Sequence, residues 1–283
     1  MTAFRRIVAG ALLAATIFLL FLTLKNPIGI KNNLYGIARE VMKKSLELQT
    51  FNWFAIEGAG FRVKYQPVDA SVARLVLETA EAAYEPVNQM LGYAPDENVP
   101  IYIYPTKETL NKSFKWDGAV NAMGVYWAGA IRILSPLEWI TDEENLTPVF
   151  QENGPIVHEY AHLLVDYRTH GNYPRWLTEG IAQYVEREVT GFVLPEETIL
   201  GNYWYSLESM DDKFDLLPNQ NLAYRQSLLV IDYLVEQKGF DVVLELLDLL
   251  AQGKNISDAL EGTVGQNLQS FEASFRQWAA GQQ

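Results

Sequence analysis

Along this chain the spacing of apolar residues changes several times, and each change marks an element. Residues 7–24 show no period: eighteen residues pass without a charge, bounded by Arg5 and Arg6 before and Lys25 after. At helical rise that length crosses a bilayer core. The run closes on Phe21, Leu22, Thr23 and Leu24 rather than on the small residues of a cleavage site, so it reads as an uncleaved membrane anchor. Leu34, Ile37, Val41, Met42 and Leu46 then fall close to helical spacing, with Lys43 and Lys44 on the other side. This predicts a juxtamembrane helix over 33–48 that lies on the membrane or packs on the domain.

From residue 50 the texture is different. Phe61, Val63 and Tyr65 alternate with Arg62, Lys64 and Gln66, the two-residue period of a half-buried strand. A helix follows, with Asp69 as N-cap, a stripe of Val72, Leu75, Val76, Thr79, Ala83, Val87 and Met90, a kink expected at Pro86, and Gly92 as stop. Residues 99–104 predict another strand, and 123–127 with 131–134 predict a hairpin turning at Ala128, Gly129 and Ala130. Beyond Leu134 strand signals cease. Helical spacing takes over in a segment ending near Tyr167, then in 174–189, 221–237, 240–251 and 268–280.

Strands first and helices afterwards is an α+β order. It divides the chain into an anchor at 1–24, a juxtamembrane helix or linker at 25–50, a strand-rich half at 51–140 and a helical half at 141–283, with a cleft where the halves meet. The composition fits a packed domain, since 49% apolar and 12% aromatic residues exclude a disordered chain. A net charge of -13 excludes nucleic acid as the main partner, because phosphate-backbone binding draws on clustered Lys and Arg. With no cysteine, disulfides, thiol nucleophiles and thiolate ligands are all absent, and any metal must sit on nitrogen and oxygen.

The segment HEYAH, 158–162, holds two of the three histidines. Four residues apart on a helix, His158 and His162 share a face and offer two imidazole donors to zinc, with Glu159 beside them. A third ligand must come from elsewhere. The pattern with Gly three residues and His six residues after the second histidine fails, because Val165 and Arg168 stand there. His170 lies beyond a continuous apolar Leu-Leu-Val. A carboxylate from the next helix is the alternative: Asn172, Tyr173 and Pro174 mark its start, Glu179 falls within two turns, and small Gly180 and Ala182 would allow the two helices to approach.

HEYAH followed by PRWLTEGIAQY resembles the gluzincin metallopeptidases of the peptidase MA-like group, strongly over 155–184 and loosely over the preceding strands and the segment from Ala223. The resemblance implies a zincin-like α+β domain, here preceded by one transmembrane helix. It assigns His158, His162 and Glu179 to zinc and Glu159 to the general base acting on a zinc-bound water. It also implies a peptide or protein substrate, and a Tyr or His from the helical half as oxyanion donor; by position Tyr224 is chosen ahead of His170. Where related enzymes carry an Asp four residues after the ligand Glu to orient a histidine, this chain has Gln183, whose amide oxygen would accept the same bond. Asp166 is a further such candidate, though it reads more simply as a solvated helix-end acid. Many members bind substrate along an exposed strand, and 123–127 is either that strand or an ordinary edge.

Two functions are consistent with these residues: a membrane-anchored zinc metallopeptidase, or a catalytically silent tethered module that keeps the fold for binding. Glu159 favours the first, since a retired enzyme needs no base beside its metal. Lys25, Lys31, Arg39, Lys43 and Lys44 after the anchor count toward a cytoplasmic domain. A short tail with two arginines resists export, however, and a long folded domain translocates regardless of charge. The expectation is a single-pass cell-membrane protein with its domain outside the cytoplasm.

Overall fold

The computed structural model describes residues 27–114, 122–193 and 204–281. The apolar run 7–24 lies outside them, and among the described residues no helix is long and apolar enough to cross a membrane. The elements are α1 (Pro27–Gln49), β1 (Phe54–Glu57), β2 (Phe61–Tyr65), α2 (Ala70–Leu91), β3 (Val99–Tyr104), α3 (Lys107–Ser113), β4 (Gly124–Trp127) and β5 (Ala130–Leu134). Then come α4 (Leu146–Asn153), α5 (Ile156–Thr169), α6 (Arg175–Thr190), α7 (Gln220–Lys238), α8 (Asp241–Ala251), α9 (Ile256–Val264) and α10 (Leu268–Ala280). The α+β class holds among the described residues, but the strict strands-then-helices order does not: α1 precedes the five strands, α2 and α3 lie between them, and only beyond Leu134 do helices follow without strands.

The sheet runs β1-β2-β3-β5-β4, with β2, β3 and β5 parallel and the two edge strands antiparallel. The central strands are covered on both faces, which is why β3 and β5 read as nearly unbroken apolar runs. In β3, Ile101 and Ile103 enter the main core with α2 and α5, whereas Tyr102 and Tyr104 join a smaller core on the opposite face with Leu46 of α1 and Leu110 of α3. α2 links the parallel pair β2 and β3, ends at Gly92 with φ 60°, and contains Pro86 without being ended by it. Asp69 stands at its N-cap, but its side chain makes no capping bond. The hairpin turn is tighter than expected, two residues rather than three, with Ala128 at φ 49° and Gly129 at φ 82°, the left-handed pair of a type I′ turn.

α1 answers the either-or posed by its sequence in an unusual way. It packs on the domain through its polar face: Glu47 accepts from Lys64 and from Tyr102, and Asn32 donates to the Ala251 carbonyl. Only Leu46 of its predicted stripe is buried, while Leu34, Ile37, Val41 and Met42 face outward.

Candidate metal centre

α5 is buried almost all round its circumference, the signature of a central helix. Pro155 precedes it and His170 ends it in the left-handed conformation at φ 54°. α6 runs beside it after a short connection, its Trp176, Leu177, Ile181 and Ala182 buried in the same core. Glu179, one turn into α6, turns back toward α5. His158 Nε2 and His162 Nε2 stand 3.1 Å apart, and Glu179 Oε2 lies 3.4 Å from each.

The far sides of all three groups are already committed. His158 Nδ1 faces Glu186 Oε2 at 3.1 Å, and His162 Nδ1 faces the Thr178 hydroxyl at 2.6 Å. Glu179 Oε1 pairs with Arg175 at 2.9 Å. Donation from Nδ1 leaves each Nε2 with its lone pair directed inward, and Glu179 Oε2 is buried there with no hydrogen-bond partner. Three inward lone pairs repel one another unless a cation, a metal ion or a proton, sits among them. Tetrahedral ligands about 2.0–2.1 Å from zinc stand roughly 3.3 Å apart, against 3.1, 3.4 and 3.4 Å here. The three residues fit a zinc ion.

Charge in the site is organised around these contacts. Burial works to raise the Glu179 carboxyl, but Arg175 and the two histidines hold it well below the usual carboxylate range. Burial works to lower His158, and Glu186 and Glu179 overcome it and raise the ring well above the usual histidine value. Glu159 is raised by burial, with His158 and His162 opposing. A carboxylate raised in this way is better matched to a proton-transfer role near neutral pH.

Glu159 is held in place by the sheet. Its Oε2 accepts from the Tyr126 main-chain N–H at 2.5 Å, so the edge strand β4 touches the candidate base directly. Gly124 makes this approach possible, because a Cβ there would sit 2.7 Å from Pro155 and 2.9 Å from Glu159. The Tyr126 hydroxyl in turn donates to Asp166 at 2.6 Å. Asp166 is not the solvated helix-end acid expected: it is fully buried and also accepts from Tyr35 at 2.5 Å and Arg39 at 3.1 Å of α1.

Two other expectations are corrected. Gln183 does not orient a ligand histidine. Its amide donates to the carbonyls of Glu179 and Tyr224, and Glu186, seven residues after Glu179 and so on the same helix face, takes the orienting place. Gly180 permits close approach of α7 rather than α5, since a Cβ on it would meet the Ser227 carbonyl oxygen at 2.3 Å. Gly180→Ala is therefore expected to destabilise the fold by about 1–3 kcal/mol through overpacking against backbone, read from urea melts. Tyr224, near the start of α7, is coupled to the site by charge: Glu179 first, then burial and Glu159, raise its phenol, which stays protonated as a donor. His170 instead lines a crevice against Gly36, Ile37 and Lys44 of α1.

Residues 79–281 match the family model of the Peptidase MA superfamily. The chain is 22% identical over 256 residues to YhcO, an uncharacterized protein of Bacillus subtilis (strain 168), covering 85% of this chain and 74% of that one. Among solved structures it is similar to a mutant of the M1 zinc metallopeptidase of Deinococcus radiodurans, with 15% identity and a TM-score of 0.36. That match covers 80% of this chain but only 50% of the other, so this chain spans about half its length.

Proposed function

This chain belongs to the peptidase MA superfamily, and from that premise we propose that it is a zinc metallopeptidase. In this reading it is anchored in the cell membrane through residues 7–24, with its peptidase domain outside the cytoplasm. The observation that carries the reading is the triangle of inward lone pairs on His158, His162 and Glu179, one of them a buried carboxylate oxygen without a partner.

Zinc bound to these three residues would supply Lewis acidity, polarising a substrate carbonyl and acidifying water. The remaining work falls to the protein. Glu159 takes the proton of the attacking water and passes it to the departing amine. The Tyr126 N–H fixes one carboxylate oxygen of Glu159 and leaves the other for the proton. Glu186 and Thr178 hold the two imidazoles in the tautomer that directs Nε2 inward. Tyr224 donates from its phenol to the oxygen that gains charge as the carbonyl is attacked. Segment 123–127 is an edge strand with a role in the site, and a substrate backbone laid beside it would sit next to the base.

The test is metal analysis of the purified chain together with cleavage of a mixed peptide library. Stoichiometric zinc, cleavage lost on chelation and cleavage restored by zinc are expected. Zinc without cleavage under any of these conditions would leave the silent tethered module in its place.

A further inference from the structure

α1 is amphipathic with its faces reversed. Tyr35, Arg39 and Glu47 point into the domain, where they meet Asp166 and Lys64. On the opposite side Leu34, Ile37, Val41 and Leu48 are 61%, 60%, 61% and 74% exposed. Their spacing of three, four and seven residues puts them in one stripe. An apolar stripe turned to water gains nothing from folding, and one this regular on a helix marks a surface that something covers.

We infer that this stripe lies in the headgroup region of the membrane, so that α1 rests along the lipid surface while its polar face carries the domain. The inference rests on reading residues 7–24 as the anchor. That apolar run ends three residues before Pro27, which brings the first turn of α1 to the bilayer surface. In the sequence a proline at position 27 suits a new helical start better than the continuation of an earlier helix, which allows α1 to run along the surface instead of away from it. Exposed Lys31 and Lys44 flank the stripe on either side, where their stems cover apolar surface and their ammonium groups reach phosphate. A second copy of the chain fits less well. A helix-to-helix seam continuing the 34, 37, 41 spacing needs an apolar residue at position 44, and Lys44 stands there.

Because the chain has no cysteine, single substitutions Leu34→Cys, Ile37→Cys, Val41→Cys and Leu48→Cys in the full chain can each carry one nitroxide. Leu216→Cys, at a position 81% exposed, serves as the water-facing control. After reconstitution in vesicles of phosphatidylcholine and phosphatidylglycerol in equal parts, label collision with oxygen is compared with collision with a water-soluble nickel chelate. The oxygen-to-nickel ratio is expected to rise at all four stripe positions above that of the control. Ratios equal to the control in a chain that floats with the vesicles would overturn the inference and leave the anchor standing. Low access to both reagents, with spin broadening that disappears on dilution with unlabelled chain, would assign the stripe to a second copy. A chain that does not float with the vesicles would remove the anchor and this inference together.

Discussion

Replacing Glu159 with Gln is expected to lower peptide cleavage by roughly 10²–10⁴-fold, the usual contribution of a positioned general base, while zinc content stays stoichiometric. The substitution keeps the volume of the side chain and an oxygen to accept the Tyr126 N–H, so the bond that holds the residue against β4 can survive. What is lost is the carboxylate that takes the proton. On the proposed reading the ligand atoms belong to His158, His162 and Glu179, so metal binding is not expected to depend on residue 159. Cleavage rate and bound zinc, measured on the same preparation, separate the two roles. Activity within a few-fold of wild type would remove Glu159 from the reaction.

Glu179→Gln is expected to give the opposite division, with zinc lost and cleavage lost with it. The carboxylate is the one anionic member of the triad, and Arg175 and the two histidines hold it ionised. An amide of the same shape offers a neutral oxygen and a donor that the inward histidine nitrogens would capture. Metal analysis after dialysis against a weak chelator reads the outcome directly. Retention of stoichiometric zinc by this variant would show that the ion is held by other groups.

How far this site could be read from sequence depended on how local each contact is. His158 and His162 sit four apart on one helix, and Glu179 follows in a segment with a recognisable helix start, so the triad is carried by short spacings. Glu186 was within reach of the same logic, since seven residues from Glu179 is two helical turns on the same face; Gln183, one turn nearer, draws attention first because related enzymes carry an Asp there. Asp166 was beyond it. Its partners Tyr35, Arg39 and Tyr126 lie 131, 127 and 40 residues away, and no periodicity announces a contact between distant elements. Strand pairing is hidden in the same way, because continuous apolar runs such as β3 state that both faces are buried and not which strand lies alongside. β1, with four residues, and α9, with nine, are too short for their periods to rise above the background. The amphipathicity of α1 was plain, but the face that docks is chosen by Asp166 and Lys64, not by the apolar stripe.

The triad occupies two neighbouring helices, and this bears on the order in which the molecule is assembled. His158 and Glu179 are 21 residues apart in the chain, a short loop whose closure costs little entropy. On the proposed reading an ion held by the triad could therefore gather α5 and α6 early, while the parallel strand pairs, which must await distant partners, form late. The bond that fixes Glu159 also closes a longer loop than the triad does, since it reaches 33 residues back to Tyr126 on the edge strand. On the same reading the ligands would come together before the base is aligned, and hydrolytic power would wait for Glu159 to meet the β4–β5 hairpin.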